Sequence, residues 1–486
     1  MVSGEFTSAM VLAILPEIGL VALAAILLVV DLLWRGETRR YLGWLTAAGL
    51  AVIMLLAILF ARPAVEGGLM WGGMLRFDSA GFVFRMLFLA GAALTALYAA
   101  VTESVRLRGE FYALLLVSTL GMSLMASAAD LIMLFLAIET TSIPLYALAG
   151  FVLRDQKSVE AGVKYLLFGA MSSAILLYGF SLLYGFTGTT QLYNLSAAFQ
   201  AGGIPTILIA AVIGLVLVGF SFKVSAVPFH FWAPDVYQGA PTPVAGFLST
   251  ASKAAGFVAL MRVVTVAFPE QSALWSIMIA VLATASMLVG NYLALVQKSL
   301  KRLLAYSSIA QAGYMLIGVA VDTEFGLVAS TYYLMAYLVT NLAAFGIVAW
   351  VEHNTGSDDL TAFAGLSRRA PALGLAMIAI MLSLGGVPPF AGFFGKLLVF
   401  GSAIDKGMIW LALVGIFNAI IGLYYYLVIL KTVYVNEPTD SARLPKANLS
   451  WQLALGICVL GILVLGFWFQ PFYSFAQNVA ASIRIY

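Results

Sequence analysis

The chain has 486 residues, of which 63% are hydrophobic and only 10% are charged, with a net charge of +3. A soluble domain carries about 25% charged residues, so this composition excludes a soluble globular protein and predicts one that lies mostly in lipid. The single cysteine, Cys458, excludes a disulfide or a cysteine-ligated iron–sulfur cluster within the chain. With His230 and His353 as the only histidines, a dedicated zinc site is not expected.

Apolar runs of about 20 residues predict transmembrane helices, because a helix needs about that length to cross the hydrocarbon layer. Backbone polar groups in lipid must also be satisfied within the protein. We therefore predict an all-α integral membrane protein with about fourteen spans in a single membrane domain. In chain order, the predicted spans are 11–33, 41–60, 80–101, 112–129, 131–152, 160–185, 205–225, 242–266, 273–296, 302–320, 326–350, 371–400, 408–430 and 451–471.

The distribution of lysine and arginine predicts the orientation of these spans, because cytoplasmic loops are rich in both residues. If the N-terminus lies outside and the spans alternate, the cytoplasmic loops hold 15 basic residues and the outer segments hold 4. Adding or removing one span would destroy this bias, which supports the count of fourteen. Both termini are then expected on the outer side.

Two of the predicted spans are interrupted by proline. Span 7 contains Lys223 shortly before Pro228, and span 12 contains Pro388 and Pro389 shortly before Lys396. Proline cannot donate to the carbonyl four residues back, so Pro388 and Pro389 should free the carbonyls of residues 384 and 385, as Pro228 should free that of residue 224. Interrupted helices five spans apart have opposite orientations, and such a pair predicts the inverted repeat of a transporter.

One set of ionisable side chains lies on spans 5, 6, 7, 8 and 12: Glu139, Lys164, Lys223, Lys253 and Lys396. A charge at the bilayer centre costs at least about 2.5–3.5 kcal/mol, so Glu139 is expected to face the bundle interior and pair with Lys164 or Lys223. A lysine whose carboxylate partner moves away changes between holding and releasing a proton. The set predicts a water-connected proton relay, although a structural ion pair is the alternative for Glu139.

Several other side chains inside or near the spans have separate interpretations. Arg85 and Arg262 lie near outer span ends and are expected to snorkel to the lipid headgroups. His230 could connect two lysines of the relay, because imidazole titrates near neutrality; the alternative is a histidine bonded at the helix break. The tyrosine run 424–426 is expected to pack or to lie at the membrane interface.

Four sequence segments are distinctive as motifs. The first follows the break in span 7, the second contains Lys253, the third begins span 10 and the fourth contains the break in span 12. They are Pro234-Asp235-Val236-Tyr237-Gln238-Gly239-Ala240-Pro241, Ser249-Thr250-Ala251-Ser252-Lys253-Ala254-Ala255-Gly256-Phe257, Lys301-Arg302-Leu303-Leu304-Ala305-Tyr306-Ser307-Ser308-Ile309 and the stretch 385–396. Over most of its length, the chain resembles the antiporter-like subunits of respiratory complex I, the proton-pumping NADH–quinone oxidoreductase.

The resemblance implies two inverted five-helix repeats, spans 4–8 and 9–13, with spans 7 and 12 broken. It divides the membrane domain into spans 1–3 at 1–110, the first repeat at 111–270, the second repeat at 271–435 and the last span at 436–486.

The resemblance also implies roles for particular residues. Glu139 becomes the carboxylate partner of Lys223, Lys253 becomes the central relay lysine, and Lys396 becomes the lysine of the second half-channel. Lys164 matches a further family lysine. At one position the chain departs from many relatives: Gln311 stands where they carry histidine, so this site can hold a hydrogen bond but cannot titrate.

The implied function is that of a proton-translocating subunit of an NADH:quinone oxidoreductase, with no redox centre of its own. NADH, FMN, iron–sulfur clusters and quinone would bind to partner subunits. The expected partners are paralogous antiporter-like subunits, small membrane subunits and lipid, but no nucleic acid, and the expected location is the bacterial inner membrane with both termini periplasmic. Two alternatives stay open: a cation/proton antiporter subunit without a redox partner, and a passive scaffold.

Overall fold

A computed structural model describes residues 8–63, 67–438, 444–445 and 447–484. Within these residues, thirteen helices are long and apolar enough to cross a membrane. Span 12 adds a fourteenth crossing from two shorter halves. The prediction of an all-α membrane protein with about fourteen spans is therefore confirmed. Arg443 and Lys446, which contribute to the predicted orientation, lie outside the described residues, as do residues 1–7 and 485–486.

The spans begin and end within a few residues of the predicted positions, apart from longer helices at spans 6 and 11. Spans 1–6 are Leu15–Leu33, Leu42–Phe60, Ser79–Ala99, Gly109–Ser127, Leu131–Ala149 and Gln156–Thr187. Span 7 is Thr206–Val224 followed by Trp232–Gly239, and span 8 is Thr242–Phe247, the π-helical Leu248–Ser252 and Lys253–Ala267. Spans 9–14 are Ser272–Ala294, Leu300–Ala320, Glu324–Thr355, Pro371–Gly385 with Ala391–Asp405, Ile409–Tyr434 and Leu449–Phe467.

Several short elements outside the spans have no counterpart in the sequence prediction. The helices are Ser8–Ala13, Leu192–Gly202, Leu366–Arg369 and Phe469–Ile483, and the 3-10 turns are Gly36–Tyr41, Trp71–Gly73, Pro269–Gln271 and Leu360–Phe363. Strands β1 (Gly68–Met70) and β2 (Leu75–Phe77) form an antiparallel hairpin. These elements are too short for a hydropathy window of membrane-crossing length to detect.

The two repeats use the same hydrogen bonds at opposite faces of the membrane. In the first repeat, the amide of Leu131 at the start of span 5 donates to the carbonyl of Thr190 after span 6, at 2.8 Å. In the second repeat, the amide of Leu300 at the start of span 10 donates to the carbonyl of Asp358 after span 11, also at 2.8 Å. Spans 5 and 10 run in opposite directions, so the shared connection is the signature of an inverted repeat.

The two helix breaks are also alike in their backbone conformation. A left-handed residue follows the first helical half in each, Ser225 at φ +60° and Gly386 at φ +81°. The next amide then donates to the carbonyl five residues back, at 2.8 Å in span 7 and 2.9 Å in span 12. This is the Schellman pattern that ends a helix, and it leaves room for Pro228 and Pro389 to redirect the chain.

The core of the bundle is formed by span 8, which is buried along its whole length, together with spans 10 and 11. Spans 2, 6, 9 and 13 surround this core and each exposes an apolar face. Because Lys253 lies in the middle of span 8, the fold places that side chain at the centre of the protein, where none of its surface is exposed.

Candidate functional site

Lys396 lies just after the break in span 12 and is held by that break. Its ammonium group donates to the carbonyls of Leu384 and Gly385, at 2.9 and 3.0 Å. These are the two carbonyls that Pro388 and Pro389 were expected to free. A broken helix thus supplies backbone acceptors to a lysine buried at membrane depth, where water is scarce.

Lys253 follows the π-helical turn Leu248–Ser252 directly. Its ammonium group donates to both the carbonyl (2.7 Å) and the hydroxyl (2.6 Å) of Ser308 on span 10. A π-turn inside an α-helix is rare and occurs frequently at functional sites. Lys253, the central lysine, is therefore joined to the second repeat by two hydrogen bonds.

A series of hydrogen bonds extends from this point towards the break in span 12. Ser307, the neighbour of the residue that holds the central lysine, shares a hydrogen bond of 2.5 Å with the hydroxyl of Tyr426. Gln311 donates to that hydroxyl and to the carbonyl of Leu384, both at 3.1 Å. Lys396 donates to the same carbonyl, so buried polar groups connect the two lysines.

The expected direct pairing of Glu139 with a lysine is not observed. The ammonium group of Lys223 donates to the hydroxyl of Ser142, which lies one turn after Glu139 on span 5. The carboxylate of Glu139 instead accepts a hydrogen bond from Ser173 on span 6, at 2.6 Å. The two charged groups form no ion pair with each other, and each has a hydroxyl partner of its own.

Lys164 is less buried than the sequence suggested, with 36% of its side chain exposed. It pairs with Glu160 one turn earlier (2.6 Å) and with Asp235 on span 7 (2.5 Å). Asp235 also binds Arg302 at the start of span 10, at 2.7 Å. The prediction that Lys164 lies deep and is a partner for Glu139 is therefore wrong: it belongs to a charged cluster that joins spans 6, 7 and 10.

His230 lies inside the break of span 7 and is buried, with 5% exposure. Its carbonyl accepts the amide of Ala233 at 2.9 Å, and its ring packs on Phe231. Among the described residues, no hydrogen bond joins its ring to Lys223 or Lys253. This position agrees with the alternative interpretation, a histidine at the helix break. A role for His230 in connecting two lysines of the relay stays a prediction.

Arg85 and Arg262 do not snorkel to the lipid headgroups as expected; both are buried in ion pairs. Arg85 binds Glu17 on span 1 (2.7 Å) and Ser123 on span 4 (2.9 Å). Arg262 binds Asp78 through two nitrogen atoms, at 2.8 and 3.1 Å. The sequence prediction was wrong because the carboxylate partners are distant in the sequence and only the fold brings them to the arginines.

Several buried hydroxyl groups cluster near the central lysine. Tyr237 faces the hydroxyls of Ser225 and Ser308, and Tyr337 faces that of Ser308, which holds the lysine. Within the described residues, the hydroxyls of Ser225, Tyr237 and Tyr337 lack a direct hydrogen bond of good geometry. Buried polar groups are nearly always hydrogen-bonded, commonly to ordered water. These hydroxyls therefore mark positions where water can connect the polar groups of the site.

The described residues contain no group of three His, Cys, Asp or Glu side chains that could hold a metal ion. Cys458 is buried, and its sulfur lies 3.9 Å from the hydroxyl of Tyr98. The polar interior instead offers hydroxyl and carbonyl oxygen atoms to lysine ammonium groups. Such a set can bind and pass protons.

Some residues of the site were missed in the sequence. Ser307 and Ser308 lie in a recognised motif, but nothing in the motif indicates that Ser308 holds Lys253 or that Ser307 bonds Tyr426. Tyr426 is packed in the interior, as one of the two expectations had it, but its hydrogen bond to Ser307 was not foreseen, and Tyr424 is 63% exposed. The two tyrosines lie on different faces of span 13, and only the fold decides which face is buried.

A family model described as "NADH:quinone oxidoreductase/Mrp antiporter, TM" matches residues 128–422. The NADH-quinone oxidoreductase subunit N of Moorella thermoacetica is 43% identical over 96% of this chain and 97% of its own length. The NAD(P)H-quinone oxidoreductase subunit 2 of Trichormus variabilis is 39% identical over 97% of this chain and 93% of its own length.

Solved structures show the same fold. A chain of respiratory complex I from Thermus thermophilus with bound aureothin is 36% identical, with a TM-score of 0.78 over 93% of this chain and 96% of that chain. A chain of the Mrp complex from a Dietzia species has a TM-score of 0.87 over 99% of this chain and 98% of that chain, at 23% identity, and so shares the fold. The chain belongs to the NADH:quinone oxidoreductase/Mrp antiporter family of membrane subunits.

Proposed function

We propose that the chain translocates protons in the membrane arm of an NADH:quinone oxidoreductase, in the position that subunit N takes in its relatives. Relatives so named are similar over nearly their whole length. The observation that carries the proposal is the set of buried polar groups between Lys253 and Lys396: Lys253 binds Ser308, and from the adjacent Ser307 hydrogen bonds continue through Tyr426 and Gln311 to the carbonyl that binds Lys396. Ionisable side chains are costly inside a membrane, and those present mark ion or proton paths.

In this mechanism the central lysine passes a proton sideways to the second half of the protein. Lys253 holds the proton against the two oxygen atoms of Ser308. Water at the unpartnered hydroxyls, together with Ser307 and Tyr426, carries the proton on. Lys396 receives it at the break in span 12.

The first half of the protein controls the charge near the central lysine. Glu139 and Lys223 each have a hydroxyl partner here, so small side-chain rotations would exchange those partners for a direct ion pair. An ion pair favours the charged form of a lysine, and opening the pair favours release of the proton. We propose that this exchange drives the proton of Lys223 towards Lys253, with His230 beside the path and Lys164 fixing the helices around it.

The energy for this exchange would come from partner subunits. Moving one proton against 100 mV costs about 2.3 kcal/mol, and electron transfer from NADH to quinone would supply it. NADH, FMN, iron–sulfur clusters and quinone are assigned to those partners. The other partners are paralogous antiporter-like subunits, small membrane subunits and lipid.

The bias of basic residues supports a location in the inner membrane with the loop between spans 1 and 2 in the cytoplasm and both termini periplasmic. In this orientation Thr242 at the start of span 8 lies on the cytoplasmic side. Arg262 near its end lies on the outer side.

The proposal is tested by replacing the buried lysines in the assembled complex. Lys253→Met and Lys396→Met should each lower NADH-driven proton uptake into proteoliposomes by about tenfold or more, because methionine keeps the volume but cannot carry a proton. Lys406→Met, at an exposed lysine after span 12, is the matched control and should pump normally. Full pumping by an assembled Lys253→Met complex would favour the passive scaffold. Ion exchange without any dependence on NADH would favour the antiporter.

A further inference from the structure

The ammonium group of Lys396 has one donor more than the carbonyls of the span 12 break accept. A protonated lysine carries three N–H donors, and two of them bind the carbonyls of Leu384 and Gly385, at 2.9 and 3.0 Å. The third has no oxygen or nitrogen acceptor among the described residues. The nitrogen instead lies over the ring of Tyr314 on span 10, 5.1 Å from the ring centre. The negative face of an aromatic ring attracts a cation at this distance.

The ring of Tyr314 is held in place at this position. It is buried, with 1% exposure, and its hydroxyl accepts a hydrogen bond of 3.1 Å from the amide group of Asn291 on span 9. It also packs edge-on against Phe400, one turn after Lys396, with ring centres 6.0 Å apart and an angle of 81°. A ring fixed by two contacts presents a constant face to the ammonium group.

Asn291, which holds that ring, is itself fixed by span 13. Its side-chain nitrogen donates to the backbone carbonyl and the side-chain oxygen of Asn418, at 3.2 and 3.3 Å, and its oxygen accepts the hydroxyl of Tyr425 at 3.0 Å. Asn291 is completely buried, and a buried amide is stable only when it is hydrogen-bonded. Spans 9, 10 and 13 thus form one polar cluster around the ring of Tyr314, and the proposed relay gives this cluster no role.

The other two buried lysines have a weaker contact of this kind or none. Lys253 is bound by two oxygen atoms of Ser308, and in the described part of the chain no ring face lies within cation–π distance of it. Lys223 lies 5.9 Å from the centre of the Phe222 ring, close to the limit of about 6 Å for such an interaction. Lys396 therefore has the larger set of groups that stabilise an ammonium ion.

We propose that the ring of Tyr314 binds the ammonium form of Lys396 and so draws the proton from Lys253 to the break in span 12. The step moves one proton: the ammonium group of Lys253 becomes an amine, and the amine of Lys396 becomes an ammonium group. The phenol of Tyr314 keeps its own proton throughout. This inference rests on the proposed function, because the ring acts only if Lys396 receives the proton.

The test removes the negative charge of the ring face while almost keeping the size of the ring. Tyr314 is replaced in the assembled complex by phenylalanine and by phenylalanines with one, two or three ring fluorines, introduced by amber-codon suppression. Fluorine withdraws electrons from the ring face, which weakens its attraction for a cation. The protons taken up per NADH by proteoliposomes should fall stepwise with each fluorine and be several-fold lower with three.

Two further substitutions at the same position set the limits of this series. Tyr314→Phe loses the bond to Asn291 but keeps the ring and its contact with Phe400, so it should retain most of the pumping. Tyr314→Leu removes the ring face and should lose at least as much pumping as the trifluorinated variant. Normal pumping by Tyr314→Leu would overturn the proposal.

Phe88 on span 3 is the matched control. It is fully buried and packs against the ring of Phe84, and within the described ranges no cation lies over its ring. The same fluorinated series at Phe88 should leave pumping unchanged. Proton uptake that does not depend on the number of fluorines at Tyr314, or that falls equally at Phe88, would show that the ring only fills space.

The pumping of Lys396→Met separates this inference from the proposed function. Full pumping by Lys396→Met would refute the relay itself, whatever the fluorinated variants do. Loss of pumping in Lys396→Met together with a flat fluorinated series would leave the relay intact and refute only the role of Tyr314.

Discussion

At the scale of single residues, the buried cations fall into two chemical groups. Arg85 and Arg262 are each bound to a carboxylate. Lys223, Lys253 and Lys396 are instead held by neutral hydroxyl and carbonyl oxygen atoms. A carboxylate fixes the charged form of its partner, whereas neutral acceptors compensate a buried charge only in part. The arginines are thus permanent charges, whereas the lysines have the neutral surroundings that the proposed relay requires.

Gln311 stands where the resemblance implies histidine, and the effect of this difference can be tested. It bridges the hydroxyl of Tyr426 and the carbonyl of Leu384, and it accepts a hydrogen bond from Tyr333. Gln311→Leu should cost about 1–3 kcal/mol of stability, because these buried groups lose their partner, and should lower the number of protons pumped per NADH. Gln311→His should keep most of the pumping, since imidazole can both donate and accept.

The control for this prediction is Gln452→Leu at an exposed glutamine on span 14. Thermal unfolding of the purified complex and proton uptake at a fixed rate of NADH oxidation give the two readouts. If Gln311→Leu pumped as well as this control, the bridge would have no part in the relay.

At the scale of helices, the two breaks have similar backbones but make different contacts. The break in span 12 exposes carbonyls that bind Lys396 from the next half-helix. In span 7 the lysine precedes the break, and Lys223 reaches across to span 5. The second half of span 7 is instead tied to spans 6 and 10 through Asp235, which binds Lys164 and Arg302. The two repeats thus share the backbone conformation of the break, and they differ in the side chains that the break holds.

Gly386 tests whether the shape of the break matters for Lys396. The residue has φ +81°, and an added Cβ would lie 2.6 Å from the Cδ atom of Lys396. Gly386→Ala should cost about 1–2 kcal/mol for the left-handed backbone and should also displace Lys396, which lowers pumping. Gly407 has the same φ of +81° with open space around it. Gly407→Ala should therefore lose similar stability in a thermal melt but pump normally, and equal pumping by both variants would contradict the role of the break.

At the scale of the whole molecule, the two inverted repeats meet at one buried helix, span 8. Span 8 closes the first repeat, packs against span 11 of the second and contacts span 10 through Lys253. The hydrogen bonds from Lys253 to Ser308 cross this boundary between the repeats. In the proposed relay, a proton on the central lysine would pass through these bonds to the polar groups of the oppositely oriented half.

The orientation of the molecule gives a further prediction. Lys298→Cys, before span 10, should react with a membrane-impermeant maleimide only in inside-out vesicles, whereas Lys406→Cys, after span 12, should react in intact cells. Both lysines are exposed, and the native Cys458 is buried and should give little background. Labelling of both positions from the same side would contradict the predicted topology.

The sequence by itself determined the number of spans, their approximate ends and the position of both breaks. These features depend on local properties: runs of apolar residues as long as the membrane is thick, and prolines that cannot donate backbone hydrogen bonds. For the same reason the sequence located the carbonyls of Leu384 and Gly385 correctly.

Only the tertiary structure decided which side chains meet. Whether Lys164 lies deep, whether Arg262 reaches a carboxylate and whether Glu139 touches Lys223 depend on contacts between residues far apart in the sequence, and the sequence expectation was wrong or unmet in all three cases. Hydropathy reports the depth of a residue along the membrane but not the direction in which its helix face points. A buried charge is stable only beside particular partners, and the packing of the helices selects those partners.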